Sequence, residues 1–535
     1  EMIAAEPTAC YKLANDIDMD YNQGKWTPIS NFTGSIDGDG HSLNNLHIDT
    51  NESGAGLFNT LGKGAKIKNL VMVKPVIDIN SSNYNAGILA ATATGDTITG
   101  VHVYDAIIND ASGNVNATVG GIIGMASVYS EIQECSFNNG EINVPASTNA
   151  GGIAGDTRTS SNVVASAVSG TITATSSVGG MVGTTGKDSK VVDCHANVNI
   201  NAKNSIGGIV GYSSSRAAIT RCYAEGTLTA SDKGWDGYST AGIVGSLTSD
   251  WTRSTDVVID GCVADVALQV ADGSDADATM NRIAGFTIAN ESYEPGETIL
   301  TELGLDNNYA TTSTTIAGIS LTSEDATSVN GKDLSETDLN SAFFTTLGYA
   351  YGENVSSPWK GENNIPVLYF EDVPAAIVLS DKELSLTEGD TADMTATIYG
   401  GMADDMVVES SDNKIVDVTT EKTSDNTLLI HINCLKAGSA TITVTGGKIS
   451  ATCNIMAVTN AINAPVAGDN IQIAIGNGTI NAPGAKKLTV YAADGRMVRT
   501  ANASLVSTAS MPKGVYIAVA TSADGQTSTV KFNVK

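Results

Sequence analysis

The sequence predicts an all-β protein: a three-strand-per-coil β-solenoid with a short helical cap, followed by two small β-sandwich modules. Three observations carry this reading. A Gly-rich apolar run recurs along the first half. Short alternating strand patterns separated by Gly, Asp and Asn turns fill the last third. With 55 Gly and only 16% charged residues, the composition suits turns and short strands rather than helices. At 535 residues the chain is too long for one compact core. Its patterns divide it at 1–372 (solenoid and cap), 373–460 and 461–535.

The repeat decides the architecture. Its core reads Gly120-Gly121-Ile122-Ile123-Gly124, then Gly151-Gly152-Ile153-Ala154-Gly155 and Gly179-Gly180-Met181-Val182-Gly183. It returns as Gly207-Gly208-Ile209-Val210-Gly211 and Ala241-Gly242-Ile243-Val244-Gly245, with weaker copies at 54–58, 86–90 and 283–286. The second glycine falls at 121, 152, 180, 208 and 242, so the spacings are 31, 28, 28 and 34. Each repeat adds an Ile/Val-x-x-Cys run, as in Ile132–Cys135 and Val191–Cys194, and an alternating run such as Gly170-Thr171-Ile172-Thr173-Ala174. Alternation turns Ile172, and Leu228 in a later copy, to one face. One coil cannot bury that face alone, whereas stacked coils can. About eight coils at roughly 4.8 Å each predict a rod roughly 40 Å long. Glycines at the corners are expected to supply positive φ.

These runs resemble the GLUG motif of bacterial surface and secreted proteins. The opening (Trp26-Thr27-Pro28-Ile29, then Phe32 to His41, and Leu57-Phe58) is similar to the start of such solenoids. The stretch with Asn307-Asn308-Tyr309, Asn330-Gly331-Lys332-Asp333-Leu334 and Ile365-Pro366-Val367-Leu368 is similar to their exit. The resemblance spans roughly residues 10–370 and implies that Trp26 and Trp359 are structural. One helix is expected near the exit. Ser335 is placed as its cap, Asp338 in its first turn, Leu339, Phe343 and Leu347 on one face, and Gly348 just past its end. It is read as the lid over the last open coil.

In 373–460, about seven strands predict a sandwich. Glu409-Ser410-Ser411-Asp412, Ile415-Val416-Asp417-Val418 and the run from Lys436 to Val444 resemble a bacterial Ig-like group 2 module, which implies a spacer or adhesin arm. In 461–535, Leu488-Thr489-Val490-Tyr491, Asp494-Gly495-Arg496, the run from Met511 to Ile517 and Lys531 to Lys535 resemble the C-terminal sorting domain of type IX secretion cargo. That resemblance implies export to the surface of a Gram-negative bacterium.

The formal charge of −29 argues against nucleic acid as a partner and against electrostatic binding to anionic lipid. No apolar run is long enough to span a membrane. The chain opens at Glu1-Met2-Ile3 within what reads as folded sequence, so an export signal is expected to have been removed already. The expected setting is extracellular or on the outer-membrane surface, as a monomer.

Candidate sites follow from the chemistry of the side chains. Cys135, Cys194, Cys222 and Cys262 stand at one position per coil, with Ser166 in the intervening coil. A line of thiols cannot form a tetrahedral shell, so the column is read as buried packing. Alternation turns Cys434 and Cys453 toward the sandwich core, which leaves a disulfide between them open. Asp16, Asp18 and Asp20, and Asp37-Gly38-Asp39-Gly40, hint at calcium loops without completing one. No metal and no cofactor are expected. The five His (His41, His47, His102, His195 and His431) sit in no catalytic motif, so no enzyme activity is expected. The alternative class is a β-helix polysaccharide-degrading enzyme, which needs a carboxylate pair or metal on one face.

The 34-residue spacing holds an insertion with Asp232, Trp235, Asp236 and Tyr238, and the next long stretch carries Asp250, Trp251 and Arg253. Insertions in solenoids emerge as loops on one face. Flat rings flanked by carboxylates suit sugar stacking. The expected function is therefore adhesin-like cell adhesion, with carbohydrate binding to an extracellular glycan, or binding to a host or bacterial surface protein. The other alternative is a purely structural surface spacer, in which these rings pack on their own loops.

Overall fold

Glycine dictates the shape of each coil. In the coil of residues 131–157, Glu131–Gln133 and Ser136–Asn143 form the flank, Asn149–Gly151 an ingoing leg and Ala154–Thr157 an outgoing leg. The Gly-rich run, expected as one strand, is thus two strands joined by a tight turn. A Cβ on Gly151 would lie 2.3 Å from the Ala154 carbonyl oxygen on the opposite leg. One on Gly152 would lie 2.5 Å from the Gly180 oxygen of the next coil, and one on Gly155 2.7 Å from the Val119 nitrogen of the previous coil. These neighbours are backbone and cannot step aside. None of the three glycines has positive φ. Their requirement is close approach, which corrects the expectation of left-handed corners. The left-handed corner lies on the flank, where Glu134, Ala165, Asp193, Arg221 and Asn307 have φ between 46° and 54°.

The computed structural model describes every residue except 1, 20–24, 81–82, 111–112, 114–115, 148, 215, 233–238, 249–256, 272–279, 286, 289–303, 363–364, 460–470, 477, 524 and 535. The chain divides into two compact units. One comprises Glu1–Ile377, Ile398–Asp405 and Gly446–Ile449, and the other the remaining segments from Val378 to Lys535.

Successive coils pair in parallel and in register, as in Val119↔Ala150, Ile123↔Ala154 and Ile132↔Val163. Among the described residues each leg builds an eight-stranded parallel sheet. Register puts like on like in the core. Ile132, Val163, Val191, Ile219 and Ile259 form one buried column, and Ile142, Ile172, Ile200, Leu228 and Leu268 another. Each such side chain contributes about 1.5–3 kcal/mol on burial. The residue after the flank corner points inward, so Cys135, Ser166, Cys194, Cys222 and Cys262 are buried. The Cys194 thiol donates to the Val192 carbonyl at 3.3 Å and that of Cys222 to Thr220 at 3.4 Å.

Both rod ends are covered. Ile3, Tyr11, Leu13, Met19 and Trp26 pack on the first coil, and Trp26 Nε1 donates to the Leu57 oxygen at 2.9 Å. At the far end the Val329 oxygen accepts from the Ile283 and Ala284 amides, at 2.9 and 3.1 Å, where a further coil would otherwise pair. This covering segment is fixed by Arg282, whose side chain is fully buried. Arg282 donates to the oxygens of Leu321 (3.1 Å), Asn330 (3.0 Å) and Gly331 (3.2 Å), and to Asp333 Oδ1 at 2.7 Å.

The expected helix is present but is not the lid. It runs Ser341–Thr346, capped by Asn340, whose side chain accepts from the Phe343 amide at 3.1 Å. Ser335 makes no side-chain cap bond and instead precedes the 3-10 turn Glu336–Asp338. Gly348, with φ of 88°, follows the helix as expected. Together with the hairpin of Trp359–Glu362 and Ile365–Leu368, the helix forms a strap along the outer flank. Phe344, Tyr349, Trp359 and Leu368 bury against Ala167, Tyr223 and Val263 of the flank. Those three residues belong to different coils, so the strap follows the rod and ties coils together. Apolar side chains at these outward positions need cover, which is why the strap docks there.

The region 373–460 has two four-stranded sheets, one strand more than expected, the addition being Met406–Ser410. Cys434 and Cys453 are buried in its core as free thiols, so the disulfide left open by the sequence is not formed. The C-terminal module pairs a three-stranded with a four-stranded antiparallel sheet around Ile480, Leu488, Val490, Val506, Ala518 and Ala520.

Candidate functional site

The predicted loops leave the rod where the two legs open. In one coil the single residue Lys203 links the flank strand His195–Ala202 to the ingoing leg Asn204–Gly207. In the next, residues 231–239 make the same link, between Tyr223–Ala230 and Thr240–Ala241. The outgoing leg Val210–Ser213 reaches the flank strand Ala218–Thr220 through 214–217, whereas Val244–Thr248 reaches Val258–Asp260 through 249–257. Because the legs run back to back, the roots of the two insertions adjoin. The Ser239 amide donates to Ser246 Oγ at 3.0 Å, Ser239 Oγ donates to the Gly245 oxygen at 2.6 Å, and Ser246 Oγ meets Ser205 Oγ at 3.0 Å. All three serines are buried, so the roots are rigid.

Of the predicted residues, Asp232 is exposed, its amide donating to the Lys203 oxygen at 2.9 Å. Trp235, Asp236, Tyr238, Asp250, Trp251 and Arg253 lie outside the described residues. Sequence reading missed a third link at this end, 271–279, between Val263–Val270 and Met280–Asn281. Its signal was the length of chain before the weak copy at 283–286.

The acidic runs near the start are engaged in ordinary pairs. Asp37 accepts from Lys68 at 2.8 Å and from Asn69 at 3.1 Å, and the Lys68 ammonium holds its carboxyl below the usual range. Asp39 pairs with Lys12 at 2.7 Å. Asp16 accepts from the Ser42 amide and Asp18 from Asn45, while Asp20 lies outside the described residues. Among the described residues, no cluster of His, Cys, Asp and Glu is arranged to hold a metal.

A constellation that sequence reading did not single out surrounds His195. Its Nδ1 lies 3.0 Å from Glu371 Oε2 and its Nε2 2.9 Å from Glu225 Oε2. Its ring stacks on Tyr223 at 5.6 Å and 14°. The His195 side chain is only 7% exposed. Burial opposes its charge, but Glu371 and Glu225 outweigh burial and hold His195 up to about 10. Nearby, Arg221 grips Asp193 with two 2.8 Å bonds, and Trp359 Nε1 donates to the same carboxylate at 3.0 Å. Tyr369 donates to Glu134. Each pair joins strap to coil or coil to coil. The enclosed His195 ring gives a substrate no approach, so the geometry is that of a clamp.

No family model matches the chain. A stretch of 170 residues is 30% identical to halomucin of Haloquadratum walsbyi, covering 30% of this chain and 2% of that protein. Among solved structures, domains 4 and 5 of the S-layer protein SbsC are 21% identical, covering 16% of this chain and 53% of that one, with a TM-score of 0.15. Domains 5-6 of the same protein are 16% identical, covering 30% and 97%, also with a TM-score of 0.15. Likenesses of that size carry no argument. The chain spans only a small fraction of the halomucin it matches.

Proposed function

We propose that this chain is a non-catalytic, adhesin-like protein of the bacterial cell surface, with a GLUG-type solenoid holding a glycan-binding face at its paired insertions. The observation that carries the reading is the adjoining of the two insertion roots at Ser239 and Ser246. Where one coil makes its link with the single residue Lys203, the next uses 231–239, and its outgoing leg leads into 249–257, with Ser239 and Ser246 joined in a buried serine network. The adjoining buried roots support the reading that the aromatic-bearing segments 231–239 and 249–257 act together as binding loops. The Ig-like region serves as spacer and the C-terminal module as export address. The stretch shared with halomucin, a mucin by name, supports a place outside the cell.

The test is a glycan array probed with the parent chain and with Trp235→Ala and Trp251→Ala. The reading expects saccharide binding by the parent that falls at least tenfold in each variant, the scale of a lost aromatic stack. A flat array for the parent would overturn it in favour of the structural spacer. Turnover of a bound polysaccharide would overturn it in favour of the enzyme.

A further inference from the structure

The strap, residues 334–372, is tied to the coils by an apolar cluster and by polar contacts, of which one joins it to His195. On the coil side His195 shares its flank face with Ala167, Tyr223 and Val263, the outward column that the strap covers. On the strap side Glu371 is held ready. Its Oε1 accepts from the Leu368 amide at 2.6 Å, and its carbonyl accepts from Lys360 Nζ at 2.6 Å. His195 therefore bridges a carboxylate of the rod, Glu225, and a carboxylate of the strap, Glu371. Its ring lies between two largely enclosed carboxylates, each 18% exposed.

We propose that the strap is a separately opening element latched by His195, and that loss of the His195 charge frees it to lift and uncover the Ala167–Tyr223–Val263 column while the coils stay folded. The separation has a physical basis. Coil stability comes from in-register ladders and stacked inner columns, and the inner core holds no residue of the strap. The strap adds its own apolar cluster on the outer face. Opening it exposes that cluster and leaves the solenoid core dry. With a neutral imidazole, Glu225 and Glu371 lose the positive charge that lies between them in an enclosed site, which favours the open state.

The charged groups around the latch are Glu225 and Tyr223 on the next strand, Asp265 behind Tyr223, Glu371 and Lys360 on the strap, and Asp193 with Arg221 at the corner. Burial opposes the charge on His195, and the two glutamates raise it above the ordinary 6.5 to about 10. A value raised on folding means that the latch is fully closed below pH 6.5 and weakens as pH climbs toward 10.

The test is hydrogen exchange on the full chain, comparing the parent with His195→Gln and Glu371→Gln. At pH 7 the strap amides of Tyr349, Trp359 and Leu368 are expected to exchange about a hundredfold faster in both variants, the scale for breaking an enclosed ion pair. Coil amides at the turn between the legs, such as Ile153 and Ile209, are expected to keep the parent's protection. In the parent, strap protection corrected for intrinsic rate is expected to fall between pH 6.5 and 10, and in His195→Gln it is expected to be flat over that range. Unchanged strap amides in both variants would overturn the proposal. So would strap and coil amides loosening together, which would make the strap an inseparable part of the rod.

Discussion

At the residue scale, the cysteines show how position decides chemistry. The chain has seven, of which Cys10 is exposed and six are buried. Burial pushes the Cys135 thiol up to about 12 and that of Cys453 up to about 11, so neither forms the reactive thiolate at neutral pH. Titration with an aromatic disulfide reagent should therefore find one reactive thiol in the native protein and seven after denaturation. Five after denaturation would restore the Cys434–Cys453 disulfide, and two or more in the native state would mean that the column breathes. The inward Cys column was legible because one residue type recurs at one position in the repeat. The roles of Arg282 and His195 were not. Arg282 reaches Asp333 across 51 residues and His195 reaches Glu371 across 176, and no local pattern announces partners so far away.

At the element scale, coil and cap separate in the same way. The alternating runs were readable as strands, because their period of two survives in every repeat. The U-turn within the Gly-rich run was not, because a string of small and apolar residues fits one strand or two equally well. What decides it is the approach of backbones from neighbouring coils, as at Gly152 and Gly155. The helix was legible in its glycine stop, but not in its cap or in where it docks. Docking is set by Ala167, Tyr223 and Val263, which lie on three separate coils. The true end cover hangs on Arg282. Removing it as Arg282→Met leaves three carbonyls and Asp333 without their donor, at a cost of about 3 kcal/mol. Hydrogen exchange should show the Ile283 and Ala284 amides losing protection while Ile153 and Ile209 keep theirs. Equal loss along the whole rod would contradict an end-specific role.

At the scale of the whole molecule, a solenoid whose coils touch only their neighbours tolerates long links at its surface without loss of its core. The adjoining of the two long links was partly legible, since their lengths and aromatics stand out in the spacing. Their common root was not, because it depends on legs that lie back to back and on Ser205, Ser239 and Ser246 meeting inside the coil. The most direct measurement exchanges both insertions for the short links of the preceding coil: 231–239 for a copy of Lys203, and 249–257 for a copy of 214–217. Thermal melting and binding to a polysaccharide retained by the parent are then compared. The account predicts a melting temperature within a few degrees of the parent, in line with slowly growing loop-closure costs, together with loss of binding. Undiminished binding by the shortened chain would contradict it, because the ligand face would then lie elsewhere on the rod.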